Sequence, residues 1–243
     1  MVQTVSMRLQ FICCKVMQRE AYYCAARSKN VIDVVLMPQG LHDTPDELRR
    51  QVQKALGNTL DIQGRPYDAS LLGYGLCSNG IVGLAAKIPI IVPRGHDCIT
   101  LLLGSKEKYK EYFDSHLGVY WYSTGWIEAG KQPSQERYER LLAEYKEKYG
   151  QDNAEYLMEV EQDWITQYNW ATYVDWGLSN TEEYRQYTRK CAEFLKWNFD
   201  ELKGSPALMQ RLVDGDWDEN DFLIVKPGRK INEDLTNEGI IKA

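Results

Sequence analysis

No run of apolar residues in this chain of 243 approaches the roughly 20 needed to span a bilayer, so no membrane segment is expected. The first ten residues, Met1 to Gln10, lack the long apolar core of a secretory signal. There is no surplus of cationic charge: 29 Lys and Arg stand against 35 Asp and Glu, a net charge of −6. Affinity for phosphate backbones comes mainly from Lys and Arg, so a dedicated nucleic-acid binder is not expected. The chain has no Cys-x-x-Cys pair and no G-x-x-x-x-G-K-[ST] phosphate loop. Gly73 and Gly75 supply a G-x-G, but Ser78 stands where a dinucleotide fingerprint needs its third glycine. The expectation is a soluble, cytoplasmic globular protein. Its six cysteines should be reduced, each serving as core filler, metal ligand or nucleophile.

Strand and helix patterns alternate through the first half. Arg8 to Val16, Val31 to Met37, Ala69 to Tyr74 and Ile88 to Val92 read as strands, and Val119 to Trp121 begins a fifth. Helical stretches separate them. One opens at Thr44 with Pro45 and Glu47 in capping positions, one follows the LCSNG turn through Lys87, and one runs from about His96 to Leu103. Near-continuous apolar strands separated by helices imply a parallel sheet covered on both faces. The expected fold is α/β, a doubly wound, Rossmann-like, mostly parallel sheet in a three-layer sandwich, with a helical insertion in the second half. The reading divides the chain into a parallel α/β core over 1–128, a helical insertion packed on it over 129–180, and a return to the core with a polar tail over 181–243. Within the insertion, Leu157, Val160, Trp164, Tyr168, Ala171 and Val174 fall at helical spacing.

In an open parallel sheet, ligands bind beyond the carboxyl ends of the strands, near the point where strand order reverses. Cys14 ends the first strand, Cys77 follows the third, Cys98 follows the fourth just beyond His96, and His42 follows the second. With the first strand between the second and third, these loops share one edge. Three thiolates suit zinc, with His42 or His96 as fourth ligand or with an open position. They also suit an iron–sulfur cluster with one iron left free. A metal-free enzyme with a cysteine nucleophile and a histidine base competes, because Cys77 and Cys98 are expected to open helices, where the positive dipole end lowers a thiol pKa. Cys13, Cys24 and Cys191 read as core, and His116 as a surface or helix-capping residue.

Around this edge, Asp97 is expected to cap the helix carrying Cys98 or to orient His96, and Arg94 to meet an anionic substrate. His96, Asp97 and Arg94 are the catalytic candidates. Gly75, Ser78 and Asn79 are candidates for cradling a cofactor, although the glycines also serve a sharp exit from the sheet.

The stretches AARS, GLHDTPDELR, LLGYGLCSNG, PRGHDCITLLLGS and WYSTGWIE resemble domain-of-unknown-function family sixteen thirty-eight, found chiefly in methanogenic archaea and anaerobic bacteria. Cys14 matches the cysteine of the family's Ala-Cys-Glu strand end, while Cys13 and Lys15 depart from it. His42, Cys77, His96 and Cys98 also match. The resemblance implies a place in anaerobic one-carbon or methylamine-type metabolism, with a corrinoid protein or methyltransferase as partner. The expected function is a metal–thiolate protein, an enzyme transferring a methyl or related group to or from a small-molecule substrate. A non-enzymatic partner or assembly factor for a corrinoid or metalloenzyme is the other outcome. Homo-oligomers are compatible with the sequence.

Overall fold

The computed structural model describes residues 6–130, 132–178, 180–234 and 240–243. It comprises two compact units, one made of the chain up to Tyr109 together with Gly204–Ala243, the other of Lys110–Lys203. The divisions therefore fall at 109/110 and 203/204 rather than at the sequence boundaries of 128 and 180.

The first unit contains β1 (Arg8–Cys14), α1 (Gln18–Arg27), β2 (Val31–Met37), α2 (Pro45–Leu56), β3 (Ala69–Gly73), β4 (Ile90–Pro93) and α3 (Cys98–Leu103). Helix α4 (Lys106–Ser115) then leads into the second unit. That unit holds β5 (Val119–Ser123), α5 (Thr124–Ala129), α6 (Gln135–Tyr149), α7 (Gln151–Gln162), β6 (Trp170–Asp175), α8 (Thr181–Leu195) and β7 (Asn198–Lys203). The chain returns to the first unit as α9 (Ala207–Asp214), β8 (Phe222–Val225), β9 (Asn232–Glu233) and β10 (Ile241–Lys242). Among the described residues no helix is long and apolar enough to cross a membrane.

The main sheet has the order β2-β1-β3-β4-β8, parallel except for β8. Strands β3 and β4 are buried along their whole length, which is why ASLLG and IIVP carry no solvent-facing alternation. Burying each Leu or Ile of such strands stabilises the fold by about 1.5–3 kcal/mol relative to leaving it exposed. The chain lays down β1, pairs β2 on one side, then crosses to place β3 on the other. The order reverses there, so Cys14 at the end of β1 and Cys77 beyond β3 flank the switch point.

The fifth strand does not join this sheet. Strands β5, β6 and β7 form a parallel sheet of their own. Its core gathers Tyr122, Ala171, Tyr173, Cys191 and Ala192. The helical stripe expected through Val174 stops at α7. Trp164 lies on a single-turn 3-10 helix, and Ala171 and Val174 lie in β6. The run WATYVD is rich in β-branched and aromatic residues, and a short stretch of this kind satisfies both periods, so length and composition decide for the strand. The helix expected before Trp197 is α8; Ser179, where that stretch was placed to begin, lies outside the described residues. The polar tail is tied down where it is described, with β9 and β10 pairing antiparallel; residues 235–239 lie outside the described residues.

A second difference lies at the sheet edge. The segment after β3 forms a series of turns instead of the expected short helix through Lys87. Its start is zipped to the loop after β4: Leu76 N–H donates to Gly95 O at 2.8 Å and Cys77 N–H to His96 O at 2.9 Å. The two backbones approach so closely that a Cβ on Gly75 would sit 2.5 Å from Asp97 N and 2.6 Å from Gly95 O. Backbone cannot swing aside as a flexible side chain can. Gly75→Ala is therefore expected to destabilise the protein by about 1–3 kcal/mol, the range for overpacking a tight site. Thermal unfolding checks it; an unchanged melting temperature would show that the loops are not locked together.

Candidate functional site

The carboxyl edge of the main sheet brings Cys14, Cys77 and Cys98 into one neighbourhood. Each is nearly enclosed, and charge on Cys14 acts on Cys77, and charge on Cys14 and Cys77 acts on Cys98. Different pieces of backbone position them. Cys14 closes β1, and the N–H groups of Lys15 and Val16, where a 3-10 turn begins, point at its sulfur. Cys98 is the first residue of α3, whose N-cap Asp97 accepts Ile99 N–H at 2.9 Å. The N–H groups of Gly75 and Cys98 point at the Cys77 sulfur. The start of α3 thus faces Cys77.

These donors favour thiolates, but burial wins. Desolvation pushes the Cys77 thiol up to about 12 and raises Cys14 and Cys98, with the neighbouring sulfurs and Asp97 adding to the effect at Cys77 and Cys98. The depressed thiol pKa expected from helix starts is overturned for two reasons. Cys77 opens no α-helix, and enclosure outweighs the dipole of the short α3 at Cys98. The metal-free nucleophile reading draws no support from these raised thiols, which burial holds away from the thiolate form.

Two groups missed by sequence reading complete the site. Tyr74, the residue after β3, is only 3% exposed, and its ring lies within reach of charge on Cys14, Cys13, Cys77 and Cys98. Its hydroxyl has no hydrogen-bond partner among the described residues. Tyr109 Oη donates to Asp97 Oδ2 at 2.9 Å. Burial holds the Asp97 carboxyl above its ordinary value, against the hydrogen bonds from Tyr109 and the N–H groups of Ile99 and Thr100. The signal for Tyr74 was available: a polar-tipped side chain inside an otherwise apolar strand exit. Tyr109 had none, since its role depends on α4 passing Asp97.

The turn carrying Cys77 is unusual. Cys77, Ser78 and Asn79 have φ of 46°, 54° and 64°, three successive left-handed residues. Asn tolerates this region, but other L-residues meet a cost of about 1–2 kcal/mol each. The surroundings impose it. Gly80 N–H closes onto Cys77 O at 2.9 Å, and Arg49 reaches Val82 O at 2.6 Å and Asn79 O at 3.0 Å. Strain held by its surroundings in this way is concentrated at functional sites.

Several candidates stand elsewhere. His42 sits on the 3-10 turn Leu41–Asp43, its Nε2 3.2 Å from Asp43 Oδ1, and it is absent from the main influences on the three thiols. His96 is exposed at the rim; its charge acts on Asp97, and its ring is tilted 6.3 Å from that of Tyr109. Arg94 is a strap: Nε donates to Glu219 O at 2.9 Å and Nη1 to Ile241 O at 2.5 Å. Ser78 and Asn79 face solvent, with Asn79 Nδ2 3.4 Å from Glu233 Oε2, and Gly75 serves the loop contact. Cys13, Cys24 and Cys191 are buried, as core residues should be, and all six cysteines are free thiols. His116 lies against the last turn of α4, its Nδ1 3.2 Å from Tyr112 O. Among the described residues, no group of three or more His, Cys, Asp or Glu side chains could hold a metal ion as they stand.

A family model described as protein of unknown function (DUF1638) matches residues 36–213. The matched segment contains His42, Cys77, His96 and Cys98, and Cys14 precedes it. Neither the curated proteins nor the solved structures gave a match.

The raised thiols make a pH prediction. Cys24, Cys77 and Cys191 are each pushed up to about 12, chiefly by burial. Above about pH 9 the unfolded chain loses these protons while the folded one keeps them. Stability of the metal-free, reduced protein is therefore full below pH 9 and falls between pH 9 and about 12. Urea midpoints across that range check this, and midpoints that hold steady or rise would contradict it. At pH 7 all six thiols should react slowly with iodoacetamide; one fast thiol would restore the nucleophile reading.

Proposed function

We propose that this chain, which belongs to the DUF1638 family, is a metal–thiolate protein whose Cys14, Cys77 and Cys98 hold one thiophilic centre at the switch point of the main sheet. The observation that carries the reading is the burial, at one edge of the main sheet, of three thiols from separate segments: the end of β1, the turn after β3 and the start of α3. Apolar burial resists their ionisation, and a soft cation reverses that balance by replacing the protons. The N–H groups aimed at Cys14 and Cys77 support thiolates once the cation is present.

Zinc or an iron–sulfur cluster suits three sulfur ligands and leaves one position for an exogenous ligand. Such a centre supplies Lewis acidity toward a bound thiol or water. Asp97, held by Tyr109 and α3, and the rim residue His96 are placed to serve proton movement beside it. In this reading the unit is a doubly wound, three-layer sandwich. The bond from Gln10 Nε2 to Ala55 O of α2, on one face of β1, and the packing of α1 with α9 support it. The reaction class, drawn from the family resemblance, is transfer of a methyl or related group in anaerobic one-carbon metabolism, with a corrinoid protein as partner.

Metal analysis of protein purified without oxygen tests the centre. About one zinc or one cluster per chain is expected, falling at least tenfold in Cys77→Ser and in Cys98→Ser and substantially in Cys14→Ser. Metal that survives all three substitutions, or wild-type protein that takes up none, would sink the reading.

A further inference from the structure

Strand β2 is an open edge of the main sheet. Val31 N–H donates to Met7 O at 2.8 Å, so residues 31, 33, 35 and 37 turn their backbone groups toward β1. The residues between them point the other way, so Ile32, Val34 and Leu36 turn theirs outward. Among the described residues these outward N–H and C=O groups have no hydrogen-bond partner. Such an edge is a template for a further strand, and proteins blunt it with short length, Lys, Pro or a bulge. In β2 all four devices are missing: VIDVVLM runs seven residues in unbroken register from Arg8↔Val31 to Cys14↔Met37. Its one charged residue, Asp33, accepts Tyr67 Oη at 2.9 Å. Val31 is 41% exposed, and Ile32, Val34, Val35 and Leu36 are half-buried. The opposite edge is blunted, since β8 has four residues set between Asp221 and Lys226.

We propose that β2 pairs antiparallel with β2 of a second copy of this chain, about a two-fold axis at Val34, joining the two main sheets into one. The strand itself sets the register. Centred on Val34, every outward residue meets an outward residue, Val34 with Val34 and Ile32 with Leu36, and these pairs exchange about six hydrogen bonds. Centred on Asp33, the two carboxylates face each other; centred on Val35, Ile32 meets Pro38, which has no N–H to give. The Val34 register sets Asp33 opposite Val35 instead. Antiparallel pairing also brings Arg27 and Lys29, exposed before one β2, to the end where the exposed Asp43 and Asp46 follow the other. Opposite charges at both ends steer the encounter and favour this orientation. An edge that complements itself in backbone, side chains and end charges fits a second copy. The pairing requires nothing bound at the cysteines.

Sedimentation of the full chain under reducing conditions, joined to amide exchange read by NMR, provides the test. Wild type should sediment at twice the chain mass at micromolar concentration. In that dimer the amides of Ile32, Val34 and Leu36 should exchange at least tenfold more slowly than in protein diluted to monomer. Val34→Pro removes an outward N–H and no bond to β1, so it should keep the wild-type far-UV circular dichroism and sediment as a monomer. Wild type that stays monomeric, or a dimer that survives Val34→Pro, would overturn the proposal. So would fast exchange of the three amides in a wild-type dimer, which would place the interface elsewhere. Slow exchange in a monomer would mean that another part of the same chain covers the edge, and would equally overturn it. If Val34→Pro fails to fold, mass and amide exchange of the wild type decide alone.

Discussion

Two backbone hydrogen bonds organise the edge on which the candidate site is built. Leu76 and Cys77 donate to Gly95 and His96, tying the loop after β3 to the loop after β4. Neighbouring strands of a parallel sheet bring their ends close, but they do not by themselves join the loops beyond them. The join is possible because residue 75 has no side chain, so one backbone can lie directly on the other. From it follow the orientation of Cys77 toward the start of α3, the three left-handed residues that turn the chain away again, and the enclosure of Tyr74. Arg49 holds the far side of the turn. The strain at Cys77 and Ser78 is local, and the contacts that impose it come from α2 and the β4 loop.

Within that frame, two effects oppose each other at the sulfurs. N–H groups aimed at Cys14 and Cys77 favour negative charge; enclosure and the company of other acidic groups disfavour it. In the chain alone the second effect is larger, so the thiols remain protonated. In the proposed metal–thiolate reading, a soft cation would neutralise the sulfurs together and leave the N–H donors as support. Asp97 belongs to this balance as well. It is pinned by Tyr109 and by the first turn of α3, and its charge, when present, presses on Cys77 and Cys98.

The second unit shows a different use of the same strand chemistry. Its parallel sheet of β5, β6 and β7 buries Tyr122 and Tyr173 with their hydroxyls paired, so large aromatics with polar tips form a satisfied core. In the first unit, by contrast, the hydroxyl of buried Tyr74 has no hydrogen-bond partner among the described residues.

The order of the first four strands, the place of β1 between β2 and β3, and the assignment of Cys14, Cys77 and Cys98 to one edge were determined by sequence alone. Apolar runs broken by Pro, Gly and capping residues carry that information locally, and the parallel-sheet rules extend it to topology. Only tertiary structure decided the rest. The insertion is helical through α6 and α7, but its end is β6 of a second sheet, because six residues of WATYVD are too few for periodicity to separate strand from helix. Arg94 became a strap because side-chain direction depends on what the fold brings near, here Glu219 and Ile241. The thiol pKa values rose where sequence pointed downward. The helix-dipole argument uses local position, whereas desolvation depends on how completely distant parts of the chain enclose the sulfur, and at Cys77 and Cys98 the enclosure is nearly complete.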